Sequence, residues 1–336
     1  AARIHERLDD DFPEISGGLL EILLPNLLRP FPSCAILQAR HRPGIVAKPV
    51  IIRRGSEVRT PSGQVKLTYR PAMNPEEKGR EIEKFELADF IYRTTQELTV
   101  RPMRLTAVRV EEAVDNMSAL VLVIQPDQNV VYDELDLRRL TLYLQGPQSL
   151  QYTLLLYLTR HVSRVEMREI STANPAFQEI SPVRVGVAGL SPEWDEEDDE
   201  RALVPYANTS FSGYRLLQEY FAFPQRFFFI DIEGLERFQA SRDGLPFEIR
   251  ITFNRKLARE RYPSAENFLL HCTPVVNLWY GPAEPVAVTQ KMPEYYIVPD
   301  KSRRKSREIY SVNQVTGIGS ERGSQYKYTP ASSYEV

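Results

Sequence analysis

Residues 216 to 235 gather Tyr220, Phe221, Phe223, Phe227, Phe228 and Phe229 around a single Pro224, with Tyr214 just upstream. Burying each phenylalanine contributes roughly 1.5 to 3 kcal/mol, so a stretch this dense in aromatics reads as a packing motif. Proline cannot continue a helix, which predicts a helix ending near Phe223, a turn at Pro224 and a core strand from Phe227 to Ile232. The segment holds no nucleophile, metal cluster or phosphate cradle. A chain whose most distinctive stretch is built for packing, with no chemistry beside it, is expected to hold things together.

Apolar residues make up 42% of the 336 positions and aromatics 10%, ample for the cores of two or three domains. The 42 basic and 45 acidic side chains nearly cancel, giving −3, so no global field draws the chain to nucleic acid or an anionic membrane. Two cysteines far apart, Cys34 and Cys272, argue against a disulfide scaffold and for a reducing compartment, hence a cytosolic location. No stretch approaches the roughly 18 to 20 apolar residues of a membrane span. The chain starts without Met inside a helical pattern and stops in a Gly, Ser and Thr tail, which suggests missing portions at both ends and no signal peptide.

Ile4, Leu8 and Phe12 at helical spacing predict a first helix stopped by Pro13, and Ile15, Leu19, Ile22 and Leu23 the apolar face of a second. Strands are expected within 34 to 52, at Val65 to Tyr69, Leu98 to Val110 and Ala119 to Ile124, with mixed turn and strand over 74 to 90. Leu137 to Leu144 reads as a strand and Gly146-Pro147 as the opening of a helix from Gln148 to about Val165. Further strands follow at Val183 to Val187 and Phe247 to Phe253, with helices around Tyr214 to Tyr220 and from Ser264 toward Cys272. The fold class is therefore α+β, strand-rich and multidomain. Four regions are expected: a helical segment over 1–32, a β-rich domain over 33–135, an α+β domain over 136–292, and a linker with a partial β segment over 293–336.

The chemistry-bearing residues resolve mostly into bland roles. His5 and Asp9 have metal-ligand spacing, but no second His or Cys lies near them, so a solvated polar face accounts for them better. His41 and His161 lack sequence partners, and His271 beside Cys272 on a helix would point about 100° away from it, which leaves a buried thiol. Gly317 to Gly323 misses the dinucleotide fingerprint by one residue and lacks its helix. The six acids of Asp195 to Glu200 and the basic block of residues 301 to 307 suit solvated loops. Trp194 and Trp279 are candidate interface anchors, with core packing equally suited to Trp279.

Three strings in order, Arg3-Ile-His-Glu-Arg-Leu-Asp-Asp-Asp-Phe-Pro-Glu with Leu19-Leu-Glu-Ile-Leu-Leu-Pro, then Tyr214-Arg-Leu-Leu-Gln-Glu-Tyr-Phe-Ala-Phe-Pro-Gln-Arg-Phe-Phe-Phe, then Cys272-Thr-Pro-Val-Val-Asn-Leu-Trp, resemble the TssF family of type VI secretion baseplate proteins. The resemblance implies a non-catalytic wedge protein without cofactor or metal. Two copies would assemble with one TssG and meet TssK, TssE and the VgrG hub, in the cytoplasm and docked at the inner membrane through the apparatus. In that setting Leu19, Leu23 and Leu27 are expected in an intersubunit or interdomain bundle and Trp194 at an interface, while Tyr220, Phe221, Phe223, Pro224, Phe227, Phe228 and Phe229 serve the fold. The alternative classes are a carbohydrate-binding or hydrolytic β module, which needs a carboxylate pair at a cleft, and a nucleic-acid adaptor acting through residues 301 to 307.

Overall fold

The computed structural model describes residues 20, 28–42, 48–61, 63–69, 82–88, 90–113, 117–128, 130–171, 176–190, 202–206, 211–240, 244–289, 291–292, 294–301, 307–319 and 324–328. Apart from Leu20, both helices expected before residue 26, with Leu19, Leu23 and Leu27, lie outside them, as do Trp194 and the acidic run. The strands are β1 (Cys34–Gln38), β2 (Val50–Ile52), β3 (Glu57–Arg59), β4 (Gly63–Tyr69), β5 (Ile82–Ala88), β6 (Ile91–Thr94), β7 (Leu98–Val100), β8 (Met103–Ala113), β9 (Met117–Pro126) and β10 (Arg139–Leu144). They continue with β11 (Val162–Glu169), β12 (Gln178–Ile180), β13 (Arg184–Val187), β14 (Phe229–Glu233), β15 (Phe247–Phe253), β16 (Phe268–Leu269), β17 (Cys272–Val276), β18 (Val315–Ile318) and β19 (Gln325–Tyr328). Two α-helices are described, α1 (Gln148–Arg160) and α2 (Ser212–Ala222).

Alternation along β15 explains the centre of the fold. Phe247, Ile249, Ile251 and Phe253 fall on one face and are fully buried, as a period of two requires when that face meets a core. The strand sits in a five-stranded antiparallel sheet ordered β12-β11-β15-β9-β8. Leu120, Leu122 and Ile124 of β9 and Val165 and Met167 of β11 enter the same core. A second sheet, ordered β13-β14-β10-β16, adds Leu140, Leu142, Leu144, Ile230 and Ile232, and α1 adds Leu154 and Leu158.

On the other face of the five-stranded sheet, charges replace apolar residues. Glu248 accepts from Arg109 Nη2 at 2.7 Å and Arg168 Nε at 2.7 Å, and Arg250 grips Glu166 through two nitrogens at 2.8 and 2.7 Å. Arg168 and Arg250 both lie over the Phe177 ring, at 4.2 and 3.8 Å from its centroid. Cross-strand pairs of this kind pin the register of neighbouring strands.

A third sheet, β1-β17-β6-β3, joins distant parts of the chain: Cys34 opposes Val276 and Gln38 opposes Cys272. Similarly β9 pairs with β15 from Ala119–Thr252 to Ile124–Phe247. Hydrogen bonding therefore runs across residue 135, where a domain boundary was expected, because the partners of β1 and β9 are supplied more than a hundred residues later.

Three local expectations change. The helix opening at Gln148 ends at Arg160, because Val162 to Glu169 finds ladder partners in β15. The helix expected from Ser264 is a single 3-10 turn, Ala265–Asn267, with a capping box between Ser264 and Asn267. Phe268 and Leu269 then pair with Leu144 and Tyr143, so sheet pairing overrides the helical pattern. Finally, Pro224 opens a 3-10 turn, Pro224–Phe228, that delays entry into the sheet until Phe229.

Gly146 shows why α1 begins where it does. Its φ of +133° suits glycine, and a Cβ there would stand 2.7 Å from Asn267 Nδ2. That amide donates to the Gln145 carbonyl at 2.9 Å, locking the start of α1 to the turn before β16.

Candidate functional site: an aromatic face backed by buried charge

Helix α2 carries two charged residues, Arg215 and Glu219, four apart on one stripe. Both are buried. Glu219 Oε1 accepts the Leu203 backbone N–H at 2.9 Å, and Oε2 stands 2.7 Å from Arg226 Nε, with neither side chain of the pair exposed. Tyr206 donates to Gln218 on the same side. Burying ions is costly unless they are paired, so this stripe fixes which side of α2 faces inward.

The opposite side is aromatic and open. Phe221 is 80% exposed and Phe211, just before the helix, 70%, while Tyr214, Leu217 and Tyr220 are about half exposed. Tyr214, Leu217 and Phe221 follow i, i+3, i+7 spacing and form one ridge. Phe211 meets Tyr214 edge-on at 5.8 Å, and Tyr220 meets Phe221 at 5.5 Å and Phe227 at 5.7 Å. Tyr152 of α1 interacts with Tyr220 through a hydrogen bond that raises the Tyr220 phenol. Tyr152 also packs on Phe228 at 5.3 Å. Tyr152 thus joins α1 to the α2 aromatics, and Leu156 is half exposed one turn along α1.

The aromatic segment thus divides. Phe228 and Phe229 are core, Phe223, Pro224 and Phe227 are half-buried, and Tyr220 and Phe221 face solvent, which corrects their reading as wholly packing residues. The physical reason is the inward Glu219–Arg226 pair, which occupies the side that an apolar helix face normally fills.

A second polar cluster ties the third sheet to the core. His41 Nε2 lies 2.9 Å from Asp127 Oδ2, and the His41 and His271 rings meet edge-on at 5.9 Å. His271 has φ +58° and accepts the Arg101 backbone N–H at Nε2, 3.1 Å away, so it is neutral there. Burial, with the charges of His41 and Arg101, pushes it down to about 4. The Arg101 guanidinium ends on the carbonyls of Leu135, Asp136 and Arg139. This cluster is saturated by backbone and reads as a structural clamp.

Catalytic alternatives find little material. Glu166 and Glu248, buried on the charged sheet face, are each held by arginines. Burial pushes the Cys272 thiol up to about 12, and its Sγ faces the Leu270 carbonyl, so no thiolate stands beside His271. His161 is bonded to Asn254 at 2.9 Å. Among the described residues no group of three or more His, Cys, Asp or Glu is placed to hold a metal. In the basic block, Lys301 meets Glu284 at 3.7 Å and Arg307 meets Asp300 at 3.0 Å while lying over Trp279 at 4.6 Å. No helix among the described residues is long and apolar enough to cross a membrane.

The strand-rich fold is one that a solved structure shares. The chain is similar to a chain in the cryo-electron-microscopy structure of the type VI secretion system TssK-TssF-TssG baseplate subcomplex, with a TM-score of 0.79 and 26% identity over 98% of this chain and 56% of that one. It is 29% identical over 325 residues to the type VI secretion system component TssF1 of Pseudomonas aeruginosa strain PAO1, across 95% of this chain and 49% of the relative. The fold is therefore that of a type VI secretion baseplate subunit. Residues 1–335 match the family model described as "Type VI secretion system, TssF", and the chain belongs to that family. It spans about half the length of the relatives it matches.

Proposed function

We propose that this chain acts as a non-catalytic wedge component of the type VI secretion baseplate, binding TssG and TssK. The observation that carries the reading is the likeness, over nearly the whole chain, to a subunit solved together with those two proteins. The fold suits the role: three sheets interlocked by pairing between distant segments make a stiff body, and an exposed aromatic surface gives it something to bind with.

In its finer form the proposal has two copies of the chain per TssG, with TssE and the VgrG hub as further neighbours, so that the assembly supports sheath and tube. The site of action is the cytoplasm, at the inner membrane through the rest of the apparatus. Leu19, Leu23 and Leu27 contribute to an intersubunit bundle, and Trp194 to an interface.

Co-expression with TssG and TssK followed by affinity purification tests this. The proposal expects both subunits to co-purify with the chain. It expects replacement of Leu19, Leu23 and Leu27 by Glu to abolish TssG recovery while the variant stays folded. A folded chain that recovers neither subunit contradicts the function, and retained TssG binding by the triple variant contradicts the bundle.

A further inference from the structure

Among the described residues no element covers the aromatic surface of α1 and α2, and three features define what fits it. The first is spacing: Tyr214, Leu217 and Phe221 form a ridge at i, i+3, i+7, which packs into the groove of another helix. The second is area. Five aromatics, Phe211, Tyr214, Tyr220, Phe221 and Tyr152, are 38% to 80% exposed. At about 150 to 250 Å² for a whole aromatic side chain, they open on the order of 600 Å². Standard interfaces bury about 800 Å² per partner, and exposed apolar patches on monomers rarely exceed a few hundred.

The third feature is charge. Neither helix carries an exposed acid. The edge of α1 beyond Leu156 is basic: exposed Arg160 lies on that flank, and Arg261 donates to the Ser149 carbonyl at 2.7 Å and reaches Thr153. Tyr157 fixes the Lys256 carbonyl alongside, with Arg255 and Arg259 exposed next to it. Glu112 faces Lys256 and Arg259 at 3.6 Å each, and exposed Glu260 lies between Arg259 and Arg261, so part of this charge is offset. A surface with a basic edge and no acid on its helices is poorly complementary to itself, which favours a different chain over a second copy.

We propose that the α1–α2 surface is the docking site for an amphipathic helix of another baseplate subunit, with an apolar ridge seated on Leu217 and Phe221 and acidic side chains along the Arg160 and Arg259 edge. The inference rests on the baseplate reading and assigns it a surface. The buried Glu219–Arg226 pair supports it from below, holding the aromatics outward before the partner arrives, so that little reorganisation opposes binding.

The test uses the full chain co-expressed with TssG and TssK, in wild-type form and as Leu217→Glu, Phe221→Glu, Arg160→Glu and, on the exposed strand β18, Ile318→Glu. At least a tenfold loss of a co-purified subunit is expected for Leu217→Glu and Phe221→Glu, with an unchanged thermal transition. A smaller, salt-dependent loss is expected for Arg160→Glu, and none for Ile318→Glu. Full recovery of both subunits by the two ridge variants overturns the proposal. So does an equal loss in Ile318→Glu, or a clear fall in the thermal transition of Phe221→Glu, which would mean that the surface is packed within the chain. Loss of self-association in place of subunit binding would assign the surface to a second copy and overturn it too. Failure of the wild-type chain to recover either subunit sinks the baseplate reading itself.

Discussion

Glu219 Oε2 and Arg226 Nε stand 2.7 Å apart with both side chains fully buried, and that contact turns α2 inside out. A helix whose apolar residues would ordinarily face the core instead presents them to solvent, because the inward stripe is committed to a carboxylate that also accepts the Leu203 N–H. Removing one partner of such a pair leaves an uncompensated buried charge. Glu219→Ala is therefore expected to lower stability by about 3 to 5 kcal/mol in denaturant unfolding. A loss below about 1 kcal/mol would show that the pair does not hold the helix in place.

The two ends of the aromatic segment should respond oppositely to truncation. Phe228 is buried against Tyr152, and Phe228→Ala is expected to cost about 3 to 5 kcal/mol. Phe221 is mostly exposed, and Phe221→Ala should stay within about 0.5 kcal/mol of wild type. Equal effects, read by thermal or urea unfolding of the isolated chain, would contradict the division of the segment.

His271 supplies a pH dependence with a definite sign. Its folded value of about 4 lies below the ordinary 6.5, because burial and the neighbouring His41 and Arg101 disfavour its charged form. Between those two values the unfolded chain binds a proton that the folded chain does not, so stability falls as pH drops from 6.5 toward 4. The gap corresponds to roughly 3 kcal/mol. His271→Asn keeps a residue tolerant of φ +58° and removes the titration. Urea unfolding across pH 4 to 7 should show a flatter profile for the variant, and an unchanged slope would assign the dependence to other groups.

Both cysteines should be sluggish toward thiol reagents in the folded state. Burial pushes Cys34 and Cys272 up to about 12, with the Glu219 charge adding to the effect at Cys34. Reagent absorbance at pH 7.5 is expected to report slow reaction in buffer and two rapidly reacting thiols in denaturant. Rapid labelling of buried Cys272 in the folded chain would mean that β17 opens readily.

How much of this was visible in the residues depended on the range of the interactions. Strict alternation along Phe247 to Phe253 announces β15, and Leu154 and Leu158 at helical spacing announce the buried side of α1, because a local period sets which face is covered. Nothing local tells that Glu219 will meet Arg226 or take the N–H of Leu203, sixteen residues upstream, so hydrophobic patterning alone turns α2 the wrong way round. The same holds at Ser264, where a sound capping signal loses to pairing with Tyr143 and Leu144, more than a hundred residues earlier. The family was legible because its strings of specific residues, not their periodicity, mark it.

The most direct test of the central claim is the mass of the complex formed on co-expression with TssG. A defined assembly with two copies of this chain per TssG is the predicted result. A folded monomer that ignores TssG would contradict the scaffold account.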